Sequence, residues 1–173
     1  MATYKTRAIS LKTAPFAEAD KMVTLFTREN GKIKAIAKGA RRVPSSLGGR
    51  VETLSYGEFF IVYGRSLDII SQCQMLESFQ KVRESESCLP AALYMFKLVD
   101  AGTVVGQRYP ELFDLLLENL IVLKDNCSGS LETTRKLARN FQAKFVRLEG
   151  IHQEGIDPGY VLSDHVGRDL QKW

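Results

Sequence analysis

The sequence has 173 residues, of which 45% are hydrophobic and 25% charged, and its formal net charge is +4. This length and composition are typical of one folded domain or two small ones, and they exclude a largely disordered chain. The longest apolar stretches, Phe59–Tyr63 and the segment Leu115–Leu123, which Glu118 interrupts, are too short for a transmembrane helix. The N-terminal MATYKTRAIS lacks the apolar core of a signal peptide. We therefore expect a cytosolic protein that does not enter a membrane.

The charge is distributed unevenly along the chain. Residues 1–83 carry 14 Lys and Arg against 7 Asp and Glu, whereas residues 84–173 carry 10 against 13. A basic half attracts polyanions and anionic surfaces. We infer that an anionic partner is bound mainly by the first half of the chain.

The chain from Tyr4 to Met75 has the alternating pattern of β-strands. A first strand runs through Arg7, Ile9 and Leu11, and a second run, Lys21–Arg28, is rich in Val, Thr and Phe. The Asn30-Gly31 pair then predicts a two-residue hairpin, because both residues tolerate positive φ. The returning strand KIKAIAK places Ile33, Ala35 and Ala37 on one face, and three lysines on the other: Lys32, Lys34 and Lys38.

A second hairpin is predicted around Gly64-Arg65-Ser66, between the runs Leu54–Tyr63 and Leu67–Met75. Five mostly antiparallel strands in this length suit a small closed barrel, which has no exposed sheet edges. The five-stranded Greek-key OB barrel is the leading interpretation, and the pattern alone leaves an SH3-like barrel open.

Helical periodicity begins after Glu77. One apolar stripe contains Leu89, Leu93, Phe96 and Val99; a second, opened by Pro110, contains Leu112, Phe113, Leu116, Leu117, Leu120 and Ile121. A third helix spans Leu131–Glu149 before Gly150, with Leu137, Ala138, Phe141, Phe145 and Leu148 on one face. The remaining tail predicts a loop with at most one short helix. The predicted fold class is α+β, with an OB-fold nucleic-acid-binding domain at 1–80 and a small all-α domain at 81–173.

Motifs for catalysis are absent from the sequence. It contains no nucleophile elbow, P-loop, dinucleotide fingerprint or HExxH motif. Its three cysteines, Cys73, Cys88 and Cys127, are far apart and have no metal-ligand spacing. The sequence therefore predicts no enzyme, no catalytic residue, no cofactor and no metal.

The basic hairpin and the loop after it are the strongest candidate site. Binding a nucleic-acid backbone requires several cations on one surface, and Lys34, Lys38, Arg41 and Arg42 satisfy this in one short segment. Arg50 and Arg65 extend the surface if the barrel brings them near. Tyr56, Phe59 and Tyr63 are candidates for base stacking, although the last two share their strand parity with Ile61. The pattern leaves open RNA, DNA or an acidic protein as partner, and an ordinary solvated strand face as the alternative.

The polar side of the third helix carries Arg135, Arg139 and Arg147. Beside an apolar groove, Arg135 and Arg139 would hold an acidic peptide or its terminal carboxylate. The alternative is a solvated helix face with incidental cations.

Four segments of the sequence are distinctive: YKTRAISLKT, EADKMVTLFTRENGKIKAIAKGARR, SSLGGRVETLSYGEFFIVYGRSLDIISQCQMLESF and YPELFDLLLENL. The first three resemble the N-terminal domain of the bacterial RecO family of recombination mediators. The fourth resembles a helix of the C-terminal domain of that family. The GKIKAIAKGARR segment is the most specific, and the similarity fades past Gly150. By matching position, the basic residues of the family's hairpin and loop fall on Lys34, Lys38, Arg41 and Arg42.

The resemblance implies an OB-fold that binds single- and double-stranded DNA, followed by a helical domain. It further implies that the protein anneals strands and binds two partners, RecR and the acidic C-terminal tail of single-stranded-DNA-binding protein. It also implies indirect assistance to RecA, and a location in the bacterial cytoplasm at the nucleoid. Many family members carry a four-cysteine zinc motif, which this sequence lacks. The alternative function is a protein-interaction adaptor whose DNA contact is secondary.

Overall fold

A computed structural model describes residues 2–171 of the chain. These residues divide into two units, which we call the barrel unit and the helical unit. The barrel unit contains the described residues up to Phe79 together with Val104–Pro110, and the helical unit contains Gln80–Thr103 and the described residues from Glu111 onward. We propose that the two units correspond to the predicted domains 1–80 and 81–173.

The barrel unit is a closed five-stranded barrel with the strand order β1-β2-β3-β5-β4. Neighbouring strands are antiparallel except β3 and β5, which pair in parallel. A parallel pair requires a crossover connection, unlike a meander of hairpins. The barrel followed by helices confirms the predicted OB-fold class. The strands are β1 Thr3–Phe16, β2 Asp20–Thr27, β3 Gly31–Ala37, β4 Tyr56–Val62 and β5 Asp68–Glu77.

The barrel interior is filled by alternating residues of its strands. On β3 the predicted inward face is confirmed, because Ile33, Ala35 and Ala37 are all buried. Phe59 and Ile61 of β4 are fully buried in the same core. The small side chains of Ala35 and Ala37 on β3 leave room for the large ones of β4 in the interior of this small barrel.

The turn between β2 and β3 differs from the predicted two-residue hairpin. Thr27 pairs with Gly31, so three residues, 28–30, connect the strands. Among residues 28–31, only Gly31 has positive φ, at +69°. The Thr27 hydroxyl donates to the Gly31 carbonyl and accepts from the Asn30 amide, at 2.9 Å each. This local bonding of a threonine side chain stabilises the longer turn.

Lys32 does not lie on the exposed basic face, and this part of the sequence prediction is wrong. Its side chain is only 7% exposed. The segment Val104–Pro110 covers this end of β3: the Gly106 amide donates to the Lys32 carbonyl at 2.9 Å, and Val105 forms a bridge with Lys32. Strand alternation alone did not reveal this cover, because it comes from a distant part of the chain.

Five helices of the described residues form the helical unit, apart from Pro110, the first residue of the third helix, which is grouped with the barrel unit. They are α1 Gln80–Arg83, α2 Cys88–Gly102, α3 Pro110–Asp125, α4 Leu131–Leu148 and α5 Pro158–Val166. Pro110 begins α3 as predicted, Gly150 follows α4 with a φ of +69°, and α5 is the single short helix expected in the tail. Phe141 and Phe145 of α4 are fully buried, with ring centroids 6.1 Å apart.

Three residues of the predicted apolar stripes are exposed instead of buried. They are Leu93, Ile121 and Leu148. On α2 the buried face includes Ala91 and Ala92, small residues that the stripe of large side chains left out. Leu93 lies on the exposed side of α2 with Pro90 and Lys97, because residues three and four positions apart share one face of a helix.

The three cysteines do not form a zinc site within residues 2–171. Cys73 lies in the barrel unit, whereas the Cys88 and Cys127 thiols both donate to the Leu123 carbonyl in the helical unit. The described residues contain no group of three or more His, Cys, Asp or Glu side chains that could hold a metal ion. Nor does this part of the chain contain a helix both long and apolar enough to cross a bilayer.

Gly31 is the position where the barrel tolerates a side chain least. Its positive φ disfavours any L-residue, and an added Cβ would overlap the Gln107 carbonyl. We expect Gly31→Ala to lower the free energy of unfolding by at least about 2 kcal/mol. Denaturant unfolding measures this loss. Gly49→Ala is the control, because nothing lies within 4 Å of its added Cβ; equal stability of the two variants would contradict the prediction.

Candidate nucleic-acid interface

Two of the predicted cations lie at the end of β3: Lys34 on the exposed face of the strand, and Lys38 directly after its last residue. Lys34 and Lys38 are exposed, and Ile36 between them is half-buried. They are four residues apart, and the chain is extended up to Ala37, so their Cα atoms are roughly 10–13 Å apart. Their ammonium groups can therefore meet separate phosphates of one strand.

The loop after β3 is fastened to the barrel at both ends. At its start, the Gly39 amide donates to the Asp20 carboxylate at 2.8 Å. At its end, Glu52 pairs with Lys21, and the Ser10 hydroxyl donates to the Val51 carbonyl at 3.0 Å. Its middle, residues 41–46, is exposed apart from the half-buried Ser45. The loop therefore projects from fixed ends.

Arg41 joins this loop to the β1–β2 turn. Its backbone amide donates to the Ala19 carbonyl at 2.9 Å. One guanidinium nitrogen, Nη1, donates to the carbonyls of Ala17 and Glu18 at 3.3 and 3.2 Å. The side chain remains exposed, so its other donors face solvent. Arg41 positions the loop, and its neighbour Arg42 projects into solvent from it.

Arg65 lies in the turn between β4 and β5, and its side chain is exposed. Asp68 begins β5 and pairs with Ala35 of β3, so this turn directly precedes the strand that lies alongside Lys34. The Asp68 carboxylate fixes the turn by accepting from the Tyr4 hydroxyl at 3.0 Å and the Gly64 amide at 3.3 Å. The fold thus places Arg65 on an element adjoining the β3 face.

Arg50 lies in a different place. Its carbonyl accepts a hydrogen bond from the Cys73 thiol, in the part of β5 beyond the residues that pair with β3. Burial raises the pKa of that thiol to about 11, and the Arg50 charge acts in the opposite direction. The Arg50 side chain lines a depression of about 480 Å³ with Phe60, Gln72 and Gln74. Arg50 therefore belongs to this depression rather than to the β3 face.

The aromatic candidates of β4 have different environments. Phe59 is fully buried in the core. Tyr63 is 51% exposed, despite its shared parity with Ile61, and its ring lies 4.6 Å from that of Tyr4. Sequence reasoning missed Phe60, which is half-buried on the outer face of β4. Its opposite parity to Phe59 was the signal that would have indicated it.

In the helical unit, Arg135 and Arg139 lie one turn apart on the exposed side of α4. They line a cavity of about 440 Å³ with Tyr94, Gln142 and Asp157. The Gln142 amide donates to the Tyr94 hydroxyl at 2.7 Å, and that hydroxyl donates to the Leu170 carbonyl at 2.8 Å. Burial, with a further contribution from Asp157, raises the pKa of Tyr94 to about 12. The cavity thus combines a fixed polar floor with two cations.

Comparisons with a protein family and with individual proteins relate this chain to the same group of DNA repair proteins. Residues 1–79 match the family described as "Recombination protein O N terminal". The chain is similar to "DNA repair protein RecO" of Alkaliphilus metalliredigens, with 37% identity over 85% of this chain and 58% of the relative. The corresponding protein of Pelotomaculum thermopropionicum is 39% identical over 87% of this chain and 56% of the relative. For Acaryochloris marina the identity is 38% over 71% of this chain and 42% of the relative.

The matches cover most of this chain but only part of each relative. The chain spans about half the length of these relatives. The matches extend well beyond residue 79, because up to 150 residues of the chain are aligned. They therefore include at least part of the helical unit as well as the barrel unit.

The two neighbouring arginines of the loop are expected to differ in their effect on stability. Arg41→Ala removes the two guanidinium hydrogen bonds to the β1–β2 turn, while the backbone bond to Ala19 remains, and should lower the free energy of unfolding by about 0.5–1.5 kcal/mol. Arg42→Ala should change it by less than about 0.5 kcal/mol. Denaturant unfolding and amide hydrogen exchange at Arg41 measure the difference. Equal stability and unchanged exchange in both variants would exclude the positioning role of Arg41.

Proposed function

The chain belongs to the RecO family of DNA repair proteins, and on that premise we propose that it is a non-enzymatic DNA-binding and strand-annealing mediator of recombinational repair. The observation that carries the proposal is the exposed pair Lys34 and Lys38 beside a loop that presents Arg42. Arg41 holds that loop against the β1–β2 turn, so the cations belong to one anchored surface.

The mechanism follows from phosphate electrostatics. Each lysine or arginine that neutralises a phosphate releases condensed counterions, and this release drives binding without reading sequence. Two strands held by their backbones repel one another less, while their bases stay free to pair. Lys34, Lys38, Arg42 and Arg65 supply this contact for single- and double-stranded DNA, and Arg41 contributes its remaining donors.

The proposed partners follow from family membership and from the helical unit. We propose that the protein acts with RecR and assists RecA indirectly on single strands that are coated by single-stranded-DNA-binding protein. It would do so in the bacterial cytoplasm, at the nucleoid, and without a cofactor. The acidic C-terminal tail of the coating protein would bind at Arg135 and Arg139, where the two guanidinium groups face a polar cavity. Guanidinium groups bind carboxylates by paired hydrogen bonds.

The same cavity supports a second candidate function, an adaptor whose main partner is protein. Among the described residues that line the cavity, Arg135 and Arg139 outweigh one carboxylate, that of Asp157, so this lining favours an anionic group. In the adaptor function, peptide binding at α4 is the principal activity, and DNA contact at the barrel is secondary. Affinities for DNA and for the peptide, measured under the same conditions, distinguish the two functions.

Salt dependence tests the DNA-binding surface. We expect Lys34→Ala combined with Lys38→Ala to weaken binding, and to reduce the slope of log affinity against log salt by about 1.4 for single strands and about 1.8 for duplex. Fluorescence anisotropy over a salt series measures both. The matched control is Lys144→Ala combined with Arg147→Ala, which removes the same charge from exposed positions of α4. An unchanged slope in the first double variant would exclude the β3 face.

A peptide titration tests the arginine cavity. We expect a labelled peptide with an acidic carboxyl-terminal end to bind the intact chain at least about tenfold more tightly than it binds Arg135→Ala combined with Arg139→Ala, because two carboxylate contacts are lost. Amidation of the peptide's terminal carboxylate should weaken binding in the same direction. Arg147→Ala, on the same helix, is the control. Equal affinity of all variants for the peptide would exclude this site.

A further inference from the structure

The depression that Arg50 lines has the composition of a ligand site of its own. It lies on the outside of the barrel, and its lining comes from β4, from β5 and from the loop after β3. Its volume is about 480 Å³, within the range of small-molecule sites. Among the described residues that line it, Arg50 is the one that carries a charge. An anionic ligand therefore fits this depression better than a cation. Phe60, which also lines it, suits a ligand with an unsaturated ring system.

The Phe60 ring is held in place beside this depression. Phe60 pairs with Lys5 of β1 on one side and with Gln72 of β5 on the other. The Lys5 ammonium lies 5.5 Å from the ring centroid and bonds the Glu58 carboxylate at 2.7 Å. On the β5 side, the Ser71 hydroxyl donates to the Phe60 carbonyl at 2.9 Å, where the strand register shifts. The Lys5 ammonium thus lies over the Phe60 ring, and the ring is also part of the lining of the depression.

The polar groups around the ring are suited to the two ends of a nucleotide. Gln72 and Gln74 are exposed, and each amide both donates and accepts hydrogen bonds, as the edge of a nucleobase requires. The Arg50 guanidinium matches a phosphate. Aromatic rings stack on any base, because every base has a π-face.

We propose that this depression binds one unpaired nucleotide of a single DNA strand, with the base against Phe60, its edge at Gln72 and Gln74, and its phosphate at Arg50. The proposal rests on the proposed function and adds a base contact that the β3 face does not provide. A base within a duplex is stacked and paired, so it cannot occupy this site. Pairing with a complementary strand therefore removes the nucleotide from the depression and weakens the hold on the annealed product.

The test compares three DNA probes with the intact chain and its variants by fluorescence anisotropy. The probes are an oligothymidylate of about 16 nucleotides, the upper limit for one OB fold, an abasic strand of equal length, and a duplex of equal length. Phe60→Leu should weaken oligothymidylate binding about tenfold, in line with the loss of one stacked base. Binding of the abasic strand and the duplex should change less than about twofold. Phe60→Tyr, which keeps the ring, should bind all three probes like the original chain.

A second variant tests the same depression independently, in case Phe60→Leu lowers the stability of the barrel. Gln72→Ala combined with Gln74→Ala changes two exposed side chains and should weaken oligothymidylate binding severalfold, again without affecting the abasic strand. Gln153→Ala, an exposed glutamine of the helical unit, is the matched control. Thermal unfolding of every variant verifies that the barrel is intact.

The outcomes separate this proposal from the function on which it rests. If the intact chain binds none of the probes, the proposed function fails. If it binds DNA but Phe60→Leu loses affinity equally for all probes, or for none, the nucleotide site alone is overturned. Loss of acidic-peptide binding in Phe60→Leu, with unchanged oligothymidylate binding, would assign the depression to a protein partner and also overturn it.

Discussion

The arrangement of the barrel surface depends on a short parallel pairing between β3 and β5. This pairing joins residues 35–37 of β3 to residues 68–70 of β5 and closes the barrel. Strands left unpaired at this point would have open edges. The same pairing brings the β4–β5 turn, with Arg65, alongside the exposed face that carries Lys34. Closure of the barrel and assembly of the basic surface are therefore one structural event.

The parallel pairing leaves the first residues of β3 without β5 as a neighbour, and Val104–Pro110 occupies that position. The segment bonds the Lys32 carbonyl through the Gly106 amide and crosses close to the Gly31 Cα atom. Lys32 is buried as a result, and the exposed cations of the strand begin at Lys34. A glycine at the start of β3 is required both by its positive φ and by this close approach.

The strands, their order along the chain and the inward face of β3 could be predicted from the sequence, because strand alternation and turn residues are local signals. The burial of Lys32 could not, since the segment that covers it is roughly 70 residues away in the chain. Arg41 and Arg42 are equivalent in the sequence, yet only the three-dimensional approach of the β1–β2 turn gives Arg41 its carbonyl partners. Arg50 likewise belongs to the same loop in the sequence but lies beside β5 in the fold.

Phosphate contacts alone cannot favour an unpaired strand over a paired one, because both present the same charged groups and a duplex presents them at higher density. A surface such as the β3 face therefore holds the product of annealing at least as well as the separate strands. Selectivity for the unpaired state requires a group that contacts the base itself, and stacking on an aromatic ring provides such a contact. Phe60 is an outward aromatic residue of this barrel, with the Lys5 ammonium over its ring and Arg50, Gln72 and Gln74 lining the same depression. In the proposed function, the cations at and after β3 would bind the phosphates, and the aromatic ring on β4 would bind the base.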